Sequence, residues 1–117
     1  MSAVLVASAN GIDLCYEVRG PEEGEPLVLL CGLGSQLVRW EPQWLDRLVG
    51  RGFRVVVLDN RDVGRSSWFD HVELDPVDEL ARLFEGEEPR AAYTLSDMAA
   101  DTVGLLDALG LGRAHVA

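Results

Sequence analysis

Residues 53–66 read Phe-Arg-Val-Val-Val-Leu-Asp-Asn-Arg-Asp-Val-Gly-Arg-Ser, and this stretch decides the architecture. Phe53 to Leu58 is a short, nearly continuous apolar run rich in β-branched residues. Such a run marks a strand covered on both faces, as parallel sheets require. Asp59 ends it, and the polar run through Ser67 that follows predicts a loop at the strand's carboxyl end. Just upstream, Leu27 to Cys31 (LVLLC) has the same buried-strand character and is broken by Gly32-Leu33-Gly34-Ser35. Between the two runs, Pro42 suits the first turn of a helix. Trp44, Leu45, Leu48 and Val49 follow at helical spacing, and Gly50 and Gly52 supply the stop. The segment is therefore a β-α-β unit with a loop after each strand.

Working outward, Val4 to Ser8 and Ile12 to Val18 are β-favouring runs joined by Ala9-Asn10-Gly11. Asn-Gly tolerates the positive φ of a tight hairpin, so an antiparallel hairpin is expected at the amino terminus. Downstream, Asp70 to Glu88 carries eight acidic residues against Arg82 alone and is interrupted by Pro76 and Gly86. It predicts a solvated excursion with one or two helical turns around Val77 to Phe84. Thr94 and Asp97 have the spacing of a capping box opening a helix, with Leu95, Met98, Val103, Leu106 and Leu109 as its expected apolar face. Gly110 and Gly112 end that helix, and Ala114 to Ala117 begins to read as another strand.

The 117 residues carry 20 Asp+Glu and 10 Lys+Arg, a formal charge of −10, with 48% apolar residues. A chain of this size buries roughly two thirds of its unfolded surface, enough for one ordinary core. All the basic residues are arginines and no basic stripe exists, so the charge disfavours nucleic acid and anionic membranes as partners. Ala3 to Ala9 is too short to span a membrane and no basic residue precedes it, which argues against a secretory signal and for a cytoplasmic protein. Cys15 and Cys31 lie in separate apolar runs without CxxC spacing, and His71 and His115 are far apart. Reduced thiols are expected and a metal site is not.

Three ordered stretches together, LVLLCGLGS with Trp40 behind it, VVVLDNRDVGRS from Val55 to Ser66, and YTLSDMAAD from Tyr93 to Asp101, resemble the amino-terminal part of the α/β-hydrolase fold. The resemblance is to the esterase-like branch with a D-N-R-D-x-G-x-S loop, and it covers nearly the whole chain. It implies an α/β fold, an antiparallel hairpin leading into a mostly parallel sheet flanked by helices, here incomplete. Residues 1–117 would be the amino-terminal part of one domain, cut at the start of the nucleophile-bearing strand. In that family the loop after the third strand gives a backbone N–H to the oxyanion hole, a role that falls on Leu33, with Gly32 and Gly34 letting the backbone turn. Many relatives have His where Cys31 stands. The second loop is expected to be structural: Gly64 takes a positive-φ turn, and Asp59, Arg61, Asp62 and Ser66 hold the loop by hydrogen bonds.

The family's nucleophile elbow, G-x-S-x-G, does not occur in these residues; neither Ser35 nor Ser66-Ser67 meets it. Since the triad runs nucleophile, acid, histidine along the chain, all three members would follow residue 117. His71 and His115 are then a loop residue and a strand-end residue. The resemblance implies a serine hydrolase of carboxylic esters with a small-molecule substrate and no cofactor, and the 117 residues alone are expected to be inactive. Two other readings remain open. Gly32-x-Gly34 after a buried strand, with Asp59 ending the next strand about 25 residues on, resembles a dinucleotide-binding unit, although Leu37 stands at the third glycine position. The acidic excursion could also serve a non-catalytic interaction protein. Substrate identity and oligomeric state are not written in the sequence.

Overall fold

The computed structural model describes residues 3–71, 73–88 and 90–117. Strands β1 (Val4–Ala9) and β2 (Ile12–Arg19) form the expected hairpin, turning through Asn10 and Gly11 at φ 52° and 77°. Strand β3 (Glu25–Leu29) leads through a 3-10 turn at Leu37–Arg39 into α1 (Pro42–Gly50), and then β4 (Phe53–Leu58). Two helices follow, α2 (Pro76–Phe84) and α3 (Leu95–Ala108), and then a short β5 (His115–Val116).

The strands form one sheet in the order β1-β2-β4-β3-β5. β1 and β2 are antiparallel, as are β2 and β4, whereas β3 runs parallel to both β4 and β5. The apolar run at 53–58 is explained by this placement. β4 is flanked by a strand on each side, and its alternate side chains enter two separate cores. Val56 and Leu58 join Ala9, Leu14, Tyr16, Val28 and Leu105 on the face covered by α3. Val55 and Val57 join Cys15, Leu27, Leu29, Leu37 and Leu45 on the face covered by α1. A strand serving two cores has no solvent side, so it shows no polar alternation.

Helix α3 departs from the apolar face expected for it. Leu95 is 83% and Val103 57% exposed, while Asp101, Thr102 and Leu105 are its buried residues. The capping box at Thr94 and Asp97 forms as expected. The helix is rotated so that Gly104 packs against the hairpin turn, where an added Cβ would lie 3.1 Å from the Asn10 amide nitrogen. Close approach at that turn and an ion pair made by Asp101 fix the buried face together with Leu105, while Leu106 and Leu109 pack against the same core as expected. Helix α2 forms in the acidic excursion where the helical turns around Val77 to Phe84 were expected. It is capped by Asp75, whose side chain accepts from the Val77 N–H, and it buries none of its residues. Val77, Leu80, Leu83 and Phe84 stand exposed on it. No helix among the described residues is long and apolar enough to cross a membrane.

Candidate catalytic loop

Because β3 and β4 are parallel neighbours, their carboxyl ends lie side by side, and the loops after them meet at the end of the sheet where α/β folds place their ligands. The first loop makes a tight turn over Gly32-Leu33-Gly34-Ser35, closed by the Ser35 N–H donating to the Gly32 carbonyl at 3.1 Å. Gly34 has φ 71°, whereas Leu33 is not among the positive-φ residues. That combination defines a type II turn, which demands a residue tolerant of positive φ at its third position. Of the two glycines expected to let the chain turn, only Gly34 uses left-handed backbone. Leu33, at the second turn position, is fully exposed, and its N–H finds no acceptor among the described residues.

The second loop is a scaffold for the first. Asp59 is 3% exposed, and its carboxylate accepts from the Leu37 N–H at 2.7 Å and from the Arg65 N–H at 3.0 Å. Ser66 is buried between the strands: its hydroxyl donates to the Asp59 carbonyl at 2.5 Å and accepts from the Cys15 N–H at 2.9 Å. Gly64, at φ 54°, passes so close to the Asp59 carboxylate that a Cβ there would lie 2.6 Å from its Cγ. The expected structural role of Asp59, Arg61, Asp62, Gly64 and Ser66 is thus what the geometry contains.

Arg61 and Asp62 extend this scaffold to α3. The Arg61 guanidinium donates from Nε and Nη2 to the two carboxylate oxygens of Asp101, both at 2.7 Å, with the side chains only 7% and 4% exposed. Asn10 Nδ2 donates to the same carboxylate at 2.8 Å. The guanidinium lies over the Phe69 and Tyr93 rings, 4.8 and 4.9 Å from their centroids. Asp62, itself at φ 65°, accepts from the Phe69 N–H and the Tyr93 hydroxyl. This hydrogen bond to Asp62, aided by partial burial, pushes the Tyr93 phenol up to about 12. Asp101, Tyr93 and the Asn10 side chain escaped the sequence reading as members of one network. The available signal was Asp101 standing one helical turn after the capping Asp97, on the side of the helix that also carries Met98 and Leu105.

Between the two loops and the start of α3 lies a cavity of about 380 Å³, with Leu33, Asn60, Tyr93, Leu95 and Met98 in its lining. Cys31 also borders it. Its thiol lies 3.5 Å from the Gln36 carbonyl, across the base of the first loop, and burial raises its pKa. Cys15 and Cys31 are both free thiols. Neither histidine joins the loops. His115 lies on β5 opposite Leu27 and contacts Glu25 at 3.2 Å, and His71 sits beside the Phe69 ring. No cluster of three or more His, Cys, Asp or Glu suited to a metal is present among the described residues. The glycine turn does not open a helix either. The 3-10 turn intervenes, and α1 starts only at Pro42, so the helix terminus that a dinucleotide pyrophosphate uses is displaced from the loop.

Comparison with known proteins puts these features in context. No family model matches the chain. It is 38% identical over 103 residues to the RutD protein of Variovorax paradoxus, whose name describes a carbamate hydrolase; the match takes in 88% of this chain and 31% of that protein. It is 35% identical over 104 residues to the rhodomycin D methylesterase DnrP of Streptomyces peucetius, covering 84% of this chain and 35% of the esterase. Among solved structures, the enol-lactonase of Burkholderia xenovorans LB400 superposes with a TM-score of 0.67 at 30% identity, over 96% of this chain and 35% of that one. Epoxide hydrolase A of Mycobacterium thermoresistibile superposes with a TM-score of 0.70 at 26% identity, over 99% of this chain and 30% of that one. The chain spans about a third of the length of these relatives.

Proposed function

From the premise that this chain has the fold of the amino-terminal part of the α/β-hydrolases, we propose that it is the oxyanion-binding part of a serine hydrolase acting on carboxylic esters. The triad would follow residue 117. The serine would attack the ester carbonyl and release the alcohol, leaving an acyl-enzyme that water then hydrolyses. The Leu33 N–H would hold the negative charge that develops on the carbonyl oxygen, together with the amide following the nucleophile. Neither a metal nor an organic cofactor is required for that sequence of steps. The free thiols Cys15 and Cys31 accord with a cytoplasmic setting.

The observation that carries the reading is the Leu33 amide: a donor without a partner among the described residues, on a turn whose shape is fixed from both sides, at the carboxyl edge of the parallel strands. Relatives named for a carbamate, a methyl ester and an enol-lactone support an acyl substrate. The turn itself supplies a clean test, because proline is favoured at the second position of a type II turn. Leu33→Pro therefore suits the turn and deletes the N–H, and Leu33→Ala, which keeps the N–H, controls for loss of the side chain from the cavity wall. In the full-length protein we expect the proline variant to fold normally and to lose about 10²–10³-fold in kcat toward p-nitrophenyl esters, as loss of an oxyanion donor does elsewhere. Unchanged kcat would refute the assignment of Leu33. The 117 residues alone should release no burst of p-nitrophenol above a buffer blank; a titratable burst would place a nucleophile within them.

A further inference from the structure

We propose that Asn60 is a positioning residue for the oxyanion loop, an inference that rests on the function proposed above. The loop from Gly32 to Gln36 is suspended between two hydrogen bonds from adjacent residues at the end of β4. At its far end, the Leu37 N–H donates to the Asp59 carboxylate at 2.7 Å. At its near end, the Asn60 side-chain amide donates from Nδ2 to the Cys31 carbonyl at 3.2 Å. That carbonyl belongs to the Cys31–Gly32 peptide, immediately before the Gly32–Leu33 peptide that carries the proposed donor. Fixing the first peptide plane leaves only the two dihedrals of Gly32 to orient the second, and glycine is the residue whose dihedrals are least restrained by sterics. The tether from Asn60 is thus placed where the loop is otherwise most free.

The backbone of Asn60 is in turn held. Its carbonyl accepts from the Val63 N–H at 3.1 Å, and the preceding Asp59 is locked by Ser66, Leu37 and Arg65. The side chain therefore ties the glycine-containing loop to a rigid base. Asn60 also borders the cavity beside Leu33, so the same residue that sets the loop forms part of the wall facing the reacting carbonyl. Without the tether, the Leu33 amide would sample orientations away from the oxyanion. Ground-state binding, which does not use that amide fully, would be little affected.

The test uses the full-length protein with Asn60→Leu, which keeps the branching at Cγ and removes the donor, and Asn60→Asp, which sets a carboxylate against the Cys31 carbonyl. Wild-type enzyme is first labelled with a fluorophosphonate to show the nucleophile. We expect both variants to lose roughly tenfold or more in kcat with KM within about twofold, Asp more than Leu, and to lose the same factor in affinity for a boronic acid transition-state analogue. Urea midpoints separate this from a loss of folded protein, because a merely structural role would shift the midpoint without moving kcat and analogue affinity in parallel. If wild type is labelled and the variants keep kcat within twofold, the role of Asn60 is refuted and the hydrolase reading stands. Failure of wild type to label would overturn the hydrolase reading and this inference with it.

Discussion

Replacing Asp101 with leucine probes the buried ion pair that joins α3 to the loop after β4. In the native arrangement the Asp101 carboxylate receives two bonds from Arg61 at 2.7 Å and one from Asn10 at 2.8 Å, and Arg61 and Asp101 are both almost wholly buried. Breaking a buried pair from one side costs about 3–5 kcal/mol, because the remaining charge is left without a partner. The Asn10 amide loses its acceptor in the same substitution, adding about 1 kcal/mol. Against a typical domain stability of roughly 5–15 kcal/mol, the single variant should be severely destabilised. Pairing it with Arg61→Met removes the stranded charge, and the double variant should recover most of the loss, since an apolar replacement of a buried pair is often neutral or better. Urea unfolding followed by tryptophan fluorescence and circular dichroism would supply the double-mutant cycle. A single-variant cost below about 1 kcal/mol would mean the pair behaves as an exposed one. A double variant no more stable than Asp101→Leu would show that the energy resides in shape and not in the stranded charge.

Other consequences are open to direct measurement. Titration of Tyr93 by absorbance near 295 nm should give a value of about 12, and Asp62→Asn should bring it down. Because the folded value lies above that of a free tyrosine near 10, the contact is fully stabilising below that pH and its contribution fades as pH rises through about 12. Gly64→Ala should cost more than the roughly 1 kcal/mol of a positive-φ position alone, since the new methyl would displace the Asp59 carboxylate from the Leu37 and Arg65 amides; equal urea midpoints would contradict this. Thr94→Ala should remove the cap of α3 at a cost of about 1 kcal/mol, readable as a lower melting temperature. A thiol reagent near neutral pH should modify Cys31 slowly and Cys15 only on unfolding, because burial raises both pKa values and Cys15 is 1% exposed.

The chain's own residues determined much of this outcome. The apolar runs at 27–31 and 53–58 marked strands covered on two faces, the first of them ending at Leu29, and Asn10-Gly11 marked a tight hairpin. Gly64 marked a position where backbone enters left-handed space, and the spacing of Thr94 and Asp97 marked the start of α3. These are local matters, decided by sterics and hydrogen bonds within a few residues, so they are legible along the chain. What the sequence left undecided was which faces meet. Of the apolar side chains expected on one face of α3, Leu106 and the capping Leu109 pack against the core, yet Asp101 and Thr102 are buried and Leu95 and Val103 are not. That choice depends on Arg61, forty residues earlier, needing a partner once the sheet had removed it from water. The links from Asn60 to Cys31 and from Asp59 to Leu37 likewise join residues that only the parallel pairing of β3 and β4 makes neighbours. A buried charge or a loop donor takes whatever partner folding brings within about 3 Å, and that distance is set by tertiary packing, not by position along the chain.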